Sequence, residues 1–292
     1  MESDDRHLDG KTCLITGATN GIGRVTAVEL ARMGAEVFLV YRNKARADET
    51  VAEIRTRTGN ENVHLLHADL GSQKQIRAAA AEFLKAGRPL HVLVNNAGLG
   101  NTTRMVTEDG IEMVFAVNHL AYFLLTMQLL DRIKESAPAR IVNVASEAHR
   151  FGTINFDDLG AERRYSTFGV YGQSKLANIL FTYELARRLA DTGVTVNCLH
   201  PGGIASGLWT NNGALAQFLM KAGKLFLKTP EQGAQTTIYL ASSSKVDGVT
   251  GKYYANCREK TSNKESYDAD VARRLWEVSE RMTRASLVGC MR

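Results

Sequence analysis

Residues 12–23 read TCLITGATNGIG, an apolar strand that runs directly into a glycine-rich turn before a helical stretch. Gly17, Gly21 and Gly23 allow a tight turn, a close approach of the backbone to a phosphate, and close helix–strand contact. The N-terminus of the next helix offers unpaired N–H groups and a positive dipole to a pyrophosphate. The spacing GxxxGxG is neither GxGxxG nor the GxxxxGK[ST] of a P-loop, so the segment alone also fits a turn that serves only the fold.

Apolar, β-branched runs recur outward from this stretch. They lie at 36–41, 63–67, 90–95, 140–145 and 194–199, and helical stretches separate them. Several are nearly continuous in Val, Leu and Ile, as is typical of strands that are covered on both faces. The alternation predicts an α/β fold, a single-domain Rossmann-type doubly wound parallel sheet of about seven strands flanked by helices.

The whole chain, residues 1–292, is expected to form this one domain, since no repeat or low-complexity linker interrupts it. Residues 10–100 are then mainly the dinucleotide-binding half, and residues 101–255 the catalytic and substrate-binding half. Residues 256–292 form a C-terminal extension with a short helical pattern, which either covers the substrate mouth or packs on the body.

Composition excludes several classes of protein. With 44% hydrophobic and 23% charged residues, the chain is too apolar to be mainly disordered. The net charge of +5 is spread along the chain rather than clustered, which argues against a nucleic-acid partner. No stretch of ~18 consecutive apolar residues and no apolar signal sequence is found, so we expect a cytoplasmic protein without a transmembrane segment.

Cysteines and histidines predict no metal site. The four cysteines, at 13, 198, 257 and 290, contain no CxxC pair, and the histidines fall at no metal-ligand spacing. Neither a disulfide framework nor a zinc site follows, and a reducing compartment is expected. Cys13 and Cys198 lie in apolar runs and are predicted to be buried thiols.

The second strand ends at Tyr41-Arg42 without a carboxylate. In such folds an acidic residue near this point binds the ribose 2′-OH of NAD, whereas an Arg suits the 2′-phosphate of NADP. Arg42 therefore favours NADP(H) over NAD(H). The alternative is a solvated start of the next helix.

Further motifs occur in a fixed order across residues 10–255. They are TGATNGIG at 16–23, Asp69-Leu70, NNAG at 95–98, Asn118, Ser146, YGQSK at 171–175 and Pro201-Gly202. In this order the chain resembles the short-chain dehydrogenase/reductases. IVNVASEAH at 141–149 and LHPGG at 199–203 resemble the retinol dehydrogenase and protochlorophyllide reductase-like branch. Two departures are Ala145, in place of the first Ser of the usual pair, and residues 1–12, where no membrane anchor is recognised.

Tyr171 and Lys175 are four residues apart and share one helix face. A fixed ammonium about 4 Å from a phenol contributes roughly 4 kcal/mol at an effective dielectric of about 20. Helped by a positively charged nicotinamide in the oxidative direction, this contribution is about the size needed to lower a phenol pKa of ~10 by three units. Tyr171 is therefore predicted to be an acidified general acid/base, donating a proton to a carbonyl oxygen during reduction.

The resemblance implies roles for other residues. Lys175 would hold the nicotinamide ribose, Ser146 would bind the substrate oxygen, and Asn118 would position a water that links Lys175 to solvent. His149 either lines the substrate pocket or has a packing or surface role. The implied cofactor contacts are Gly17, Thr19, Asn20, Gly21, Ile22, Gly23, Arg42, Asp69, Leu70, Asn95, Ala97, Gly98, Tyr171, Lys175, Pro201, Gly202 and Ile204.

The segment 204–230 is predicted to be a substrate lid. Its apolar face at 208–228, which includes Trp209 as a substrate contact, suits a lipophilic aldehyde or ketone, retinal-like in character. A plain packed helix and an amphipathic element in peripheral contact with a membrane are the alternatives. The helices around 108–135 and 170–191 are the usual dimer faces of the family, which makes a homo-oligomer an expectation.

These patterns predict an NADP(H)-dependent oxidoreductase that interconverts a small lipophilic carbonyl compound and its alcohol by hydride transfer, without a metal. The alternative is a catalytically silent NADP(H)-binding sensor or scaffold on the same fold. A serine hydrolase is excluded, because residues 172–176 read GQSKL and lack the GxSxG elbow.

Overall fold

The computed structural model describes residues 7–203 and 228–285. Its strands are β1 (Thr12–Thr16), β2 (Glu36–Tyr41), β3 (Val63–His67), β4 (Val92–Asn95), β5 (Ala139–Val144), β6 (Val194–Leu199), β7 (Lys252–Ala255) and β8 (Arg258–Lys260). Its α-helices are α1 (Gly21–Arg32), α2 (Lys44–Thr58), α3 (Gln73–Lys85), α4 (Met113–Glu135), α5 (Thr167–Arg188), α6 (Pro230–Ser242) and α7 (Ala269–Thr283).

Within these residues, eight strands form one sheet with the order β3-β2-β1-β4-β5-β6-β7-β8. Neighbouring strands are parallel, except for the antiparallel pair of β7 and β8. The predicted doubly wound parallel sheet is confirmed, with one strand more than expected. The strand order reverses between β1 and β4, and ligands of such sheets bind beyond the carboxyl ends of the strands at this switch point.

The core lies on both faces of the sheet, because neighbouring residues of a strand point to opposite faces. Leu14 of β1 belongs to an apolar cluster that includes Phe83 of α3. Ile15 belongs to a second cluster with Leu30 of α1 and Leu240 of α6. Both β1 side chains are fully buried, and each such burial stabilises the fold by about 1.5–3 kcal/mol.

Cys13 of β1 and Cys198 of β6 are buried, as the apolar runs predicted. Burial raises the pKa of both thiols to about 12. They therefore remain protonated near neutral pH and act as small core side chains.

The helix α4 contains a π-helical turn at Ala116–Leu120. Among the described helices it alone is long and apolar enough to cross a membrane, but 89% of its apolar window is buried inside the protein. It is therefore a core helix. Turns of π geometry often occur at functional sites, and this one holds Asn118 and His119.

The helix α7 packs on the outside of α4 and α5. Trp276 is buried, and its ring lies 4.9 Å from that of Phe123 and 5.9 Å from that of Phe181. The helical pattern predicted near the C-terminus is thus confirmed, and this part of the extension packs on the body.

Candidate active site

The turn between β1 and α1 depends on backbone conformations that favour glycine. Gly17 and Gly21 have φ values of +64° and +51°, and a Cβ on Gly23 would collide with the carbonyl oxygen of Gly17. Asn20, the N-cap of α1, makes no side-chain capping hydrogen bond, and the first turn of α1 carries no acidic residue. Neither Asn20 nor an acidic side chain of the first turn therefore accepts from the first N–H groups of α1, and this suits an anion.

The end of β4 closes against this turn. The backbone N–H groups of Asn96 and Ala97 donate to Thr16 Oγ1 at 2.9 and 3.0 Å, and Asn96 Nδ2 donates to the Thr16 carbonyl at 2.8 Å. A Cβ on Gly17 would lie 2.9 Å from the Cα of Ala97. The predicted cofactor residues Gly17 and Ala97 thus form one wall. Asn96, which belongs to the NNAG motif but was not predicted to contact the cofactor, holds this wall in place.

The structure argues against the prediction that Asn95 contacts a cofactor. Its side chain is fully buried, and its Nδ2 donates to Thr126 Oγ1 at 3.0 Å and to Asn143 Oδ1 at 2.9 Å. Asn95 therefore joins β4 to β5 and α4. The motif NNAG could not show this, because the partners lie 31 and 48 residues away.

Arg42 follows β2 and Asp69 follows β3, and the fold brings them together. Arg42 Nη1 lies 3.6 Å from Asp69 Oδ2, with the two side chains 65% and 40% exposed. Ion pairs between side chains this exposed contribute little to stability. The Arg42 guanidinium can therefore leave Asp69 and bind another anion at a small cost in free energy. Asp69 Oδ1 also accepts from the N–H of Gly71, at 2.9 Å, and Leu70 packs half-buried against the core.

Tyr171 and Lys175 lie on one face of α5, as their spacing predicts, and both are buried. Lys175 Nζ lies 5.7 Å from the centre of the Tyr171 ring and donates to the Val144 carbonyl at 3.1 Å. Ser146, two residues after β5, shares a side-chain hydrogen bond with Tyr171. Its Oγ also accepts from the N–H of Ala148 at 3.2 Å. The three predicted catalytic side chains therefore lie together at the carboxyl end of β5.

The protonation of this pair differs from the expectation. Burial raises the pKa of Tyr171 to about 12, although the hydrogen bond with Ser146 opposes the rise. Burial also lowers the pKa of Lys175 to about 7. The predicted acidified phenol is wrong for the protein by itself, because removal from water disfavours the very ammonium that would acidify it. At neutral pH Tyr171 keeps its proton and can donate it.

Asn118 is held by three hydrogen bonds. Its Oδ1 accepts from Leu99 N at 2.8 Å, and its Nδ2 donates to the Leu99 carbonyl and to Ser174 Oγ, both at 3.0 Å. A Cβ on Gly98 would lie 3.3 Å from both Asn118 Oδ1 and Lys175 Nζ. Asn118 and Gly98 therefore border Lys175, as the family pattern implied, whereas the water relay stays a prediction.

His149 is fully buried. Its Nδ1 lies 2.7 Å from the Ser146 carbonyl oxygen, and its Nε2 accepts from Asn263 N at 3.2 Å. Burial lowers its pKa. This placement favours the packing role and argues against the predicted substrate contact. The sequence could not distinguish the two roles, because Asn263 is 114 residues away.

Pro201 and Gly202 follow β6 and are half-buried, and Gly202 N donates to His200 Nδ1 at 3.2 Å. Ile204 and Trp209 lie outside the described residues, as does the predicted lid except for residues 228–230.

Tyr122 of α4 is a neighbour of Lys175 that the sequence patterns did not single out. Lys175 Nζ lies 5.8 Å from the centre of its ring. Its position four residues after Asn118 was the available signal, since residues at that spacing lie on the same side of a helix.

These residues fit a nicotinamide dinucleotide. The uncapped start of α1 and a glycine turn without room for side chains suit its diphosphate. Arg42 and Asp69 stand at the adenosine side, whereas Tyr171, Lys175 and Ser146 stand at the end of β5, where the nicotinamide would lie.

Comparisons with known sequences agree. The family profile for short chain dehydrogenase matches residues 11–215. Retinol dehydrogenase 14 of Homo sapiens is 46% identical, over 94% of this chain and 87% of its own length. Retinol dehydrogenase 13 of Homo sapiens is 44% identical, over 94% and 85%.

Solved structures show the same fold. An uncharacterised protein from Mycobacterium paratuberculosis has a TM-score of 0.74 at 33% identity, covering 96% of this chain and 95% of its own. The NADP active-site complex of Pseudomonas aeruginosa RhlG has a TM-score of 0.68 at 27% identity, covering 87% and 96%. The protein is an oxidoreductase that uses a nicotinamide cofactor, and the chain belongs to the short-chain dehydrogenase family, in its retinol dehydrogenase branch.

Proposed function

We propose that the protein is an NADP(H)-dependent oxidoreductase that reduces a lipophilic, retinal-like aldehyde or ketone to its alcohol, reversibly. One observation carries this proposal: Tyr171 is hydrogen-bonded with Ser146 and stands beside Lys175 at the carboxyl end of β5. A bound reduced nicotinamide supplies a hydride to a carbonyl carbon. The protein must then supply a proton to the oxygen.

Tyr171 is the proposed general acid. A phenol with a pKa of about 12 is protonated at neutral pH, so it can donate its proton as negative charge develops on the carbonyl oxygen. The Ser146 hydroxyl, which shares a hydrogen bond with Tyr171, is the proposed second donor to the same oxygen. Lys175 then stabilises the phenolate that remains, because an ammonium in a buried site interacts strongly with a nearby anion. The reverse reaction begins with loss of the Tyr171 proton and is expected to be favoured by higher pH.

Arg42 supports NADP(H) over NAD(H). Its guanidinium is exposed beside the end of β2, where a 2′-phosphate would lie, and its ion pair with Asp69 is exposed as well. Several structural relatives were solved with NADP, including a short chain dehydrogenase from Burkholderia cenocepacia at 26% identity.

Two observations support a lipophilic substrate. The curated relatives described above are named retinol dehydrogenases. Phe151 closes the 3₁₀ turn that follows Ser146, and Phe168 stands three residues before Tyr171. Their exposed fractions of 84% and 77% place large apolar surface on the two segments that carry the catalytic side chains.

The test is NADPH consumption by the whole chain against long-chain, aromatic and retinoid aldehydes, with NADH as the matched control. We expect turnover of the lipophilic aldehydes with NADPH and a lower kcat/KM with NADH. Preference for NADH would overturn the interpretation of Arg42. Tight NADPH binding without turnover of any aldehyde would favour a silent NADP(H)-binding sensor.

A cytoplasmic location stays a prediction.

A further inference from the structure

The Lys175 ammonium is buried, and few protein groups replace the hydrogen bonds that water would make with it. Its side chain is 3% exposed, and its hydrogen bond to a protein atom runs to the Val144 carbonyl at 3.1 Å. Burial is the one influence that shifts its pKa, with no contribution from a charged side chain of the described residues. Apart from the Val144 carbonyl, the neighbours that favour the charged form of Lys175 among the described residues are aromatic rings.

Two tyrosine rings flank this ammonium, one from each helix that packs beside it. Lys175 Nζ lies 5.7 Å from the ring centre of Tyr171 on α5 and 5.8 Å from that of Tyr122 on α4. Both distances fall within the ~6 Å over which a ring face attracts a cation. These are also the titratable side chains that face it, since β5 contributes the Val144 carbonyl and the loop after β4 contributes Gly98.

The hydroxyls of the two tyrosines have different partners. The Tyr171 hydroxyl shares a hydrogen bond with Ser146, at the position where a substrate oxygen would lie. The Tyr122 hydroxyl donates to the Ala97 carbonyl at 2.8 Å and lies 3.5 Å from the Val144 carbonyl. Tyr122 is therefore tied to the ends of β4 and β5, and its ring is fixed in place. Burial raises its pKa well above the ordinary value, so it stays neutral and does not compete as a proton donor.

We propose that Tyr122 is a positioning residue, whose fixed ring holds the Lys175 ammonium beside Tyr171 and favours its charged form. The inference rests on the proposed function for the role of Lys175 in the reaction, but the interaction itself exists in the protein without cofactor. Val144 connects the two side chains, since its carbonyl accepts from Lys175 Nζ and lies within reach of the Tyr122 hydroxyl. Removal of the ring thus affects both the position and the charge of the amine.

The size of the effect follows from the strength of cation–π contacts in a desolvated site. Loss of one ring face is expected to lower the pKa of Lys175 by about one unit, a tenfold weaker hold on its proton. The effect is smaller than that of burial, which already brings the pKa to about 7. Because the pKa of Lys175 is near neutral, a shift of one unit changes the fraction of charged Lys175 most at neutral pH.

The experiment is a pH titration of Lys175 in the cofactor-free whole chain, followed by NMR of 13C-labelled lysine and assigned with Lys175→Arg. Tyr122→Leu removes the ring and is expected to lower the Lys175 pKa by about one unit. Tyr122→Phe keeps the ring and is expected to leave the Lys175 pKa near that of the native protein. Phe123→Leu is the matched control, because Phe123 is equally buried on the same helix but packs on Phe181 and Trp276.

A second arm covers the case in which Tyr122→Leu does not fold. Replacement of Tyr122 by 3,5-difluorophenylalanine keeps the shape of Tyr122→Phe but weakens the negative face of the ring, so the Lys175 pKa is expected to fall below that of Tyr122→Phe. An unchanged Lys175 pKa in the folded Leu or difluoro variant would overturn the proposal, as would an equal change in Phe123→Leu. Turnover is measured separately. If the Lys175 pKa falls as expected but Lys175→Met retains full activity, the proposed function fails and the positioning role stands.

Discussion

At the scale of single residues, the protonation state of Tyr171 bears on which direction of the proposed reaction is favoured. Burial keeps the phenol protonated, with a pKa of about 12, and lowers the pKa of Lys175 to about 7. A protonated phenol is the form that donates to a carbonyl oxygen, so the proposed reduction would use Tyr171 in the form that it has in the protein without cofactor. Oxidation first has to remove that proton.

Arg42 provides the test of cofactor preference at this scale. Arg42→Ala is expected to weaken NADPH binding about ten- to a hundredfold, because a hydrogen bond to a charged group contributes ~1.5–3 kcal/mol. NADH binding is expected to change little, since it has no 2′-phosphate. The measurement is the Kd of each cofactor by fluorescence titration. Arg55→Ala, an exposed Arg at the other end of α2 that pairs with Glu61, is the control; equal losses for NADPH and NADH in Arg42→Ala would contradict the assignment.

Spacing and motif order predicted which catalytic side chains meet, but not their ionisation. The four-residue interval places Tyr171 and Lys175 on one face, and Ser146 follows a strand whose end lies beside that face. Their pKa values depend on how completely water is excluded, and part of that exclusion comes from Tyr122, on another helix. The four-residue interval from Asn118 places Tyr122 on the same side of its helix, but local sequence does not show that its ring lies beside Lys175.

At the scale of secondary-structure elements, α4 joins the site to the outer layer of the protein. Its π-helical turn directs Asn118 towards Leu99 and Ser174, while His119 Nε2 pairs with Ser279 Oγ of α7 at 2.9 Å. A helix was expected around 108–135, and the structure confirms it at Met113–Glu135. The π-helical turn was not predictable, because it depends on partners from α5 and α7.

His119 makes the stability of this arrangement depend on pH. Burial lowers its pKa to about 4, against ~6.5 in an unfolded chain. Above pH ~6.5 His119 is neutral in both the folded and the unfolded chain, and the folded protein has its full stability. As the pH falls towards 4, His119 of the unfolded chain takes up a proton that the folded protein does not. We expect the free energy of unfolding to fall by roughly 3 kcal/mol over this range on account of His119.

The check is urea unfolding at several pH values from 7 to 4 for the native protein and for His119→Gln, which cannot be protonated. The variant is expected to be less stable at pH 7 but to show a shallower dependence on pH. His67→Gln, at the exposed end of β3, serves as the control. An unchanged dependence in His119→Gln would show that acid destabilisation arises elsewhere.

At the scale of the whole molecule, the alternation of strands and helices could be recognised in the sequence because the central strands β1, β4 and β5 are apolar and buried on both faces. Leu14 and Ile15 illustrate this, since adjacent residues enter opposite core layers. The strand β8 was not predictable, because Arg258–Lys260 has three exposed, charged residues and exists only as an antiparallel partner of β7. Propensity carries no signal for such an edge strand.

A substitution in the C-terminal extension can test whether residues 1–292 fold as one unit. Trp276 is 2% exposed, packs on Phe123 and Phe181, and lies 4.2 Å below the Arg188 guanidinium. Trp276→Ala is expected to lower the free energy of unfolding by about 3–5 kcal/mol in one cooperative transition. Phe151→Ala, at an 84% exposed position, is expected to change it by less than about 0.5 kcal/mol. Two separate transitions in Trp276→Ala would indicate that α7 is an independent unit.

The decisive measurement is the NADPH-dependent reduction of a lipophilic aldehyde by Tyr171→Phe, together with the NADPH Kd of the same variant. The phenol hydroxyl alone is removed, so kcat is expected to fall about 10²–10⁴-fold while the NADPH Kd stays within a few-fold of native. Tyr183→Phe, on the same helix but hydrogen-bonded to Ser262 at 2.9 Å, is expected to keep its activity. Full activity in Tyr171→Phe would show that another group supplies the proton.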